Sequence, residues 1–99
     1  MLFGVIYTVR GDVSDEKQKR SLKLFGNWTP PAGYEIKSHY AFADGSGGII
    51  LAEVSTAAAA YESAAPWGPF FEFKIAPIVD IAESVPILQK VYGWRDSVR

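Results

Sequence analysis

The stretch Gly48–Val54 predicts a β-strand that is apolar on both of its faces. Successive side chains of a strand point to opposite sides of the sheet. One side of this strand would carry Ile49 and Leu51, and the other would carry Ile50, Ala52 and Val54. The first strand, Leu2–Arg10, shows the same pattern, with Val5 and Val9 opposite Ile6. A sheet with such strands needs cover on both faces, and this need is the strongest constraint on the fold.

The order of the predicted elements indicates how much cover the chain itself supplies. Strands are indicated by alternating, β-branched or aromatic residues, and helices by caps and periodic apolar residues. The predicted elements are strand Leu2–Arg10, a helix from Ser14 to about Phe25, strand Tyr34–Phe42, strand Gly48–Val54, a helix following Thr56 and ending before Pro66, strand Phe70–Val79, and a short helix at about Val85–Tyr92. This order predicts an α+β, ferredoxin-like βαββαβ fold with a four-stranded antiparallel sheet and a short C-terminal helix. We expect one domain over residues 1–99.

Two helices cover only one face of a four-stranded sheet. The other face would be an apolar patch larger than a monomer usually exposes. The composition agrees with apolar surface that is buried against a second chain, because 48% of the 99 residues are hydrophobic and 14% are aromatic. We therefore predict a symmetric homodimer whose subunits meet through the sheet face.

Charge and cysteine content exclude several classes of partner. Ten basic and eleven acidic residues give a net charge of −1, which favours neither nucleic acid nor an anionic membrane. The chain has no cysteine, so disulfides, thiol nucleophiles and cysteine–zinc sites are excluded. The apolar start lacks the basic region of a signal peptide, and no apolar run approaches the length of a membrane helix. We expect a cytoplasmic protein without a cofactor.

The hairpin "SHYAFADGSGGIILAEVS", Ser38–Ser55, contains the single histidine of the chain, His39. Its glycines do not predict a phosphate-binding loop, because such loops lead from a strand into a helix. Asp-Gly instead favours a hairpin turn. Pairing around a turn at Asp44–Gly47 would place His39 opposite residue 52 or 53, so a His39–Glu53 pair is one interpretation. Such a pair would act as a general base and its orienting carboxylate, or as a polar pair at the dimer interface.

Aromatic residues supply candidate ligand contacts. Loop aromatics at the mouth of a cleft can hold a flat apolar molecule. The candidates are Trp28, Tyr40, Tyr61 and Trp67. The alternative is that these side chains close the end of the core. One histidine is too few for a protein metal site without help from carboxylates, so no metal is expected.

Three stretches carry a resemblance to a known family. They are "MLFGVIYTVR", the Ser38–Ser55 hairpin and "PWGPFFEFKIAPIVD", which together cover most of Met1–Asp80. The chain resembles the dimeric α/β-barrel superfamily, and within it a family of small bacterial proteins known only as a domain of unknown function. The resemblance implies a dimer in which two four-stranded sheets enclose a barrel. It implies no reaction, because members of the superfamily include monooxygenases, haem-degrading enzymes, isomerases, stress proteins and ligand-sensing domains.

Three functional hypotheses follow from these residues. The first is a dimeric protein that binds a small apolar or aromatic ligand between the sheet and the helices. The second is a cofactor-independent enzyme of the monooxygenase or isomerase type, with His39 as the acid or base. The third is a purely structural dimer module. The surroundings of His39 discriminate between them, since an enzyme needs this side chain in a cleft.

Overall fold

The computed structural model describes residues 1–99, and its elements follow the order β1–α1–β2–β3–α2–β4–α3. The strands are β1 (Leu2–Val9), β2 (Tyr34–Ala41), β3 (Gly47–Val54) and β4 (Phe71–Pro77). The helices are α1 (Asp15–Gly26), α2 (Ala57–Ala64) and α3 (Ile81–Ser97), with a 3₁₀ turn at Ala65–Trp67 after α2. The predicted α+β, ferredoxin-like fold is confirmed.

The four strands form one antiparallel sheet in the order β2-β3-β1-β4. Helices α1 and α2 cover one face, and the core lies between these two layers. Its buried residues come from the central strands, from the start of β2 and from α2, and include Val5, Tyr34, Ala52, Val54, Ala59 and Ala60. Small alanines on α2 allow this helix to lie close to the sheet.

The second face of the sheet is covered by neither α1 nor α2, and we call it the open face. Its centre is apolar and consists of Leu2, Ile6, Ile49 and Leu51. Leu2 is 37% exposed and Ile6 is 36% exposed. Its margins are polar and carry Glu35, Glu53, Glu72 and Lys74. The predicted alternation of the central strands is therefore confirmed, and it leaves apolar side chains in solvent.

Helices α1 and α2 begin at the residues that the sequence indicates. The Ser14 hydroxyl accepts a hydrogen bond from the Lys17 backbone N–H at 3.2 Å. The Thr56 hydroxyl accepts one from the Ala59 backbone N–H at 3.1 Å. Each cap satisfies a backbone donor that has no partner within its helix.

The glycine-rich stretch forms the turn between β2 and β3, as predicted. The Phe42 backbone N–H donates to the Gly47 carbonyl at 2.8 Å and closes the hairpin. Asp44 accepts a hydrogen bond from the Ser46 backbone N–H at 2.9 Å. Gly45 has a φ of 76°, which side chains with a Cβ rarely adopt.

The predicted register of this hairpin is wrong. His39 lies opposite Ile50, and Glu53 lies opposite Glu35, so no cross-strand pair joins His39 to Glu53. The cause is the position of the turn, which closes between Phe42 and Gly47 and therefore pairs His39 with Ile50, on the face toward the helices. Beyond His39, a bulge at Lys37, between Ile36 and Ser38, shifts the pairing by one further residue. An extra residue reverses the alternation along one strand, so Glu35 lies with Glu53 on the open face.

Helix α3 is longer than the predicted Val85–Tyr92 helix. It begins after Asp80, whose carboxylate accepts a hydrogen bond from the Ala82 backbone N–H at 2.8 Å. It then continues through Pro86 and Gly93 to Ser97. A proline inside a helix removes one backbone hydrogen bond and costs about 3 kcal/mol, which is why the prediction placed Pro86 in the first turn of the helix. No residue of α3 is buried, and no helix in the structure meets the length and hydropathy of a membrane span.

Candidate functional site

A cavity of about 350 Å³ lies between the helix-covered face of the sheet and helices α1 and α2. Twelve of its fifteen lining residues are hydrophobic, and the other three are Ser21, His39 and Ser63. No aspartate, glutamate, lysine or arginine lines it. Its volume falls in the range of ligand pockets, and its lining suits an uncharged, largely apolar molecule.

The floor of the cavity is aromatic because β1 and β4 direct alternate side chains toward the helices. Tyr7 pairs with Phe73 across the two strands, and Phe71 lies two residues before Phe73, on the same face of β4. The ring of Tyr7 meets that of Phe71 edge to face, with centroids 5.1 Å apart. Phe71 and Phe73 meet at 6.2 Å in the same manner. Such edge contacts hold the rings in fixed orientations.

The far wall is formed by aromatic residues at the ends of α1 and α2. Phe25 lies in the last turn of α1 and stacks on Trp28, with ring centroids 6.1 Å apart. Trp28 meets Trp67 edge to face at 5.1 Å. The Trp67 indole N–H donates to the Ser21 carbonyl at 3.4 Å, which ties the 3₁₀ turn to α1. Trp67 is only 8% exposed, so this wall is part of the packed structure.

The mouth of the cavity opens between α1 and the edge strand β2. The most exposed lining residues are Leu22, Phe25, His39 and Ala41. The ring of Phe25 meets that of His39 edge to face at 5.8 Å. His39 therefore lies where a bound molecule would still be close to water.

Tyr7 reaches across a neighbouring strand to contact His39. Its hydroxyl lies 2.7 Å from His39 Nε2, a hydrogen-bond distance. Between the two residues is Gly48 of β3, which pairs with both Tyr7 and Ala41. A Cβ at Gly48 would lie 2.5 Å from Tyr7 Cζ and 2.6 Å from the Tyr40 carbonyl oxygen. The absence of a side chain at this glycine is what gives Tyr7 its path to His39.

Partial burial shifts both titratable groups of this pair toward their neutral forms. It raises the pKa of Tyr7 above its usual value of 10.0 and lowers the pKa of His39 below its usual 6.5. A charged form is disfavoured where water is excluded. Near pH 7 the pair is therefore a neutral phenol beside a neutral imidazole.

The lowered pKa of His39 predicts a dependence of stability on pH. Below about pH 6.5 the unfolded chain binds a proton that folded His39 resists, so the free energy of unfolding should fall as the pH is lowered from 8 to 5. The variant His39→Asn should lack the part of this pH dependence that His39 contributes. Urea unfolding at several pH values would measure it, and identical pH profiles for the two proteins would contradict the assignment.

The structure brings together three of the six predicted site residues. Trp28, Trp67 and His39 line the cavity. Tyr61 is 77% exposed on α2, and Tyr40 lies opposite Ile49 on the open face. Glu53 also lies on the open face, where it accepts a hydrogen bond from the Met1 amino group.

Most of the floor of the cavity is absent from the predicted site. Tyr7, Phe71 and Phe73 line it but are not among the residues that the sequence indicated. The available signal was their alternation, since Tyr7 shares a strand face with Val5, and Phe71 and Phe73 are separated by one polar residue. No group of three or more histidine, aspartate or glutamate side chains is placed to hold a metal ion.

Comparison with known proteins gives a family. A family model described as "Domain of unknown function (DUF3303)" matches residues 1–92. This match includes every residue that lines the cavity. No curated protein matches the chain.

Proposed function

This chain belongs to the DUF3303 family, and we propose that it binds a small, flat, apolar or aromatic molecule in the cavity between its sheet and helices. The observation that carries the proposal is the combination of volume and lining. An apolar cavity of about 150 Å³ holds benzene. The cavity here has about 350 Å³, which suits a molecule of two fused rings.

The polar groups of the cavity wall restrict the chemistry of the ligand further. Tyr7 and His39 offer one neutral donor and acceptor pair at the mouth. An anionic or cationic ligand would lose its hydration in the cavity without gaining a charged partner, and this loss would make its binding unfavourable. The preferred ligand is therefore neutral, with one hydroxyl or carbonyl group at its rim.

Filling the cavity tests this proposal. Ala64 lines the cavity on α2, whereas Ala58 on the same helix is exposed. We expect Ala64→Leu to weaken the binding of 2-naphthol about tenfold or more, because the added atoms occupy ligand space. Ala58→Leu is the matched control and should bind like the unaltered protein.

Quenching of tryptophan fluorescence is a suitable measurement, since Trp28 and Trp67 line the cavity. Circular dichroism would verify that each variant is folded. Equal affinity in the two leucine variants would place the ligand elsewhere. An absence of saturable binding to the unaltered protein would favour the structural dimer module instead.

A second candidate function is proton transfer on the bound molecule. It is favoured by the 2.7 Å contact between Tyr7 and His39, since a neutral imidazole beside an apolar cavity is a competent base. 2-Indanone, a flat bicyclic ketone, would report this activity through exchange of its α-protons in D₂O, followed by NMR. Catalysis predicts faster exchange with the protein present and its loss in His39→Asn. If the exchange rate equals that in buffer alone, the proton-transfer function is wrong and only the binding function is left.

We also propose the homodimer through the open face and, from the absence of cysteine, a location in the cytoplasm. The apolar centre of the open face supports the dimer, because Leu2 and Ile6 are partly exposed there. A twofold axis would pack this surface against its own copy. Two sheets meeting in this way would enclose a barrel, as in the superfamily that the chain resembles.

A further inference from the structure

We infer that α3 is an arm that packs against a second copy of this chain, at the margin of the partner's open face. The inference rests on the proposed dimer and assigns a role to the segment after Asp80. It concerns a surface separate from the cavity.

The first observation is that α3 exposes a periodic apolar surface. Its large apolar side chains are between 42% and 75% exposed, and none of its residues is buried. They are Ile81, Val85, Ile87, Leu88, Tyr92 and Trp94. The spacing of Ile81, Val85, Leu88 and Tyr92 in steps of four, three and four places them on one side of the helix. Ile87 and Trp94 lie roughly 130–150° further around the helix, so the exposed apolar surface of α3 extends beyond this one side.

The second observation is that α3 has little stability of its own. Pro86 and Gly93 both lie in its interior, and both are unfavourable there. Isolated helices of this length are marginal in water, and most helical stability in proteins comes from packing. No residue of α3 is buried within its own chain, which measures 58 Å along its longest axis. Its packing partner therefore lies outside the chain.

The third observation places the start of the arm beside the proposed interface. Gly4 lies on the open face of β1, two residues from Ile6. The Cγ2 atom of Ile78 lies 3.2 Å from the position that a Cβ on Gly4 would take. Ile78 continues the pairing of β4 with β1, because its backbone N–H donates to the Leu2 carbonyl at 3.0 Å. Its side chain thus lies on the open face, and α3 begins at the edge of that face. A second copy bound to the open face would therefore be the surface nearest to the start of α3.

The size of the surface agrees with a second copy. With roughly 100 Å² from each of the four side chains on one side of the helix, two α3 helices would add on the order of 800 Å² to the area that the two open faces bury, and a stable interface buries about 1,200 Å² or more in total. Charge also agrees for Arg95, which lies on the same side of α3 as Leu88 and would approach the acidic margin formed by Glu35 and Glu53. The two bases of α3, Lys90 and Arg95, are balanced by Glu83 and Asp96, so the helix is not the basic type that binds membranes.

The variant Leu88→Lys tests the arm in the full-length chain. Leu88 lies on the apolar side of α3, and the adjacent Gln89 lies on its polar side. We expect Leu88→Lys to raise the dimer dissociation constant roughly a hundredfold, as loss of an interface anchor does. Gln89→Lys adds the same charge and should leave the constant unchanged. Sedimentation velocity over a range of concentrations would measure both.

The outcomes separate the arm from the dimer itself. A monomeric unaltered protein would overturn the dimer and the arm together. A dimer whose dissociation constant is the same in Leu88→Lys would overturn the arm alone.

Isotope-filtered NMR on a mixture of ¹³C-labelled and unlabelled chains supplies a second test that needs no variant. The arm predicts contacts between the Leu88 methyl groups of one chain and protons of the other. Contacts confined to one chain would show that α3 folds back on its own sheet, and would overturn the inference.

Discussion

Gly48→Ala is expected to lower the free energy of unfolding by about 2 kcal/mol and to separate Tyr7 from His39. The new Cβ would lie 2.5 Å from Tyr7 Cζ and 2.6 Å from the Tyr40 carbonyl oxygen. The tyrosine ring has to move, because the carbonyl belongs to the backbone of the neighbouring strand. The hydrogen bond at 2.7 Å is then lost.

Urea unfolding would measure the stability, and NMR titration of His39 would report the loss of its partner. Gly26→Ala is the matched control, since a Cβ at Gly26 meets no atom within 4 Å. The control should be neutral or slightly stabilising. If the two variants were equally stable, the position of the Tyr7 ring would not depend on the absence of a side chain at Gly48.

Ile6→Lys is expected to convert the proposed dimer to a monomer. Ile6 lies at the centre of the open face, opposite Ile49 on one side and Lys74 on the other. In a face-to-face dimer the new ammonium group would be buried without a partner and beside an existing lysine. The expected cost is about 3 kcal/mol or more, which raises the dissociation constant more than a hundredfold.

The isolated chain should tolerate Ile6→Lys, because Ile6 is 36% exposed there. Ala58→Lys adds the same charge on the exposed side of α2 and should leave the assembly unchanged. Light scattering coupled to size exclusion would compare the two. A dimer that persists in Ile6→Lys would contradict association through the open face.

The element order and the facing of the central strands were predictable from the sequence. Alternation in Gly48–Val54 decides which side chains point to each face once the strand is recognised. The register of the hairpin was not predictable in the same way. The turn closes between Phe42 and Gly47, one residue earlier than the predicted Asp44–Gly47 turn, and it pairs His39 with Ile50. The several glycines after Asp44 leave the exact turn residues undecided in the sequence, and the predicted His39–Glu53 pair failed for this reason. The bulge at Lys37 then shifts the pairing of the residues before it by one more.

The candidate site was predictable only in part. Trp28 and Trp67 follow α1 and α2, so their place at one end of the layers follows from the topology. The contact between Tyr7 and His39 joins residues of two strands that are not neighbours, across a glycine. It depends on strand order and register together. The length of α3 was underestimated because Pro86 and Gly93 are normally found at helix ends.

The cavity between the sheet and the helices is the proposed binding site, and a crystal structure of the protein grown with 2-naphthol tests this proposal most directly. We expect density for two fused rings between Trp67 and Phe71, with the hydroxyl directed toward Tyr7 and His39. An empty cavity in a crystal saturated with 2-naphthol, or naphthol bound only on the open face, would contradict it.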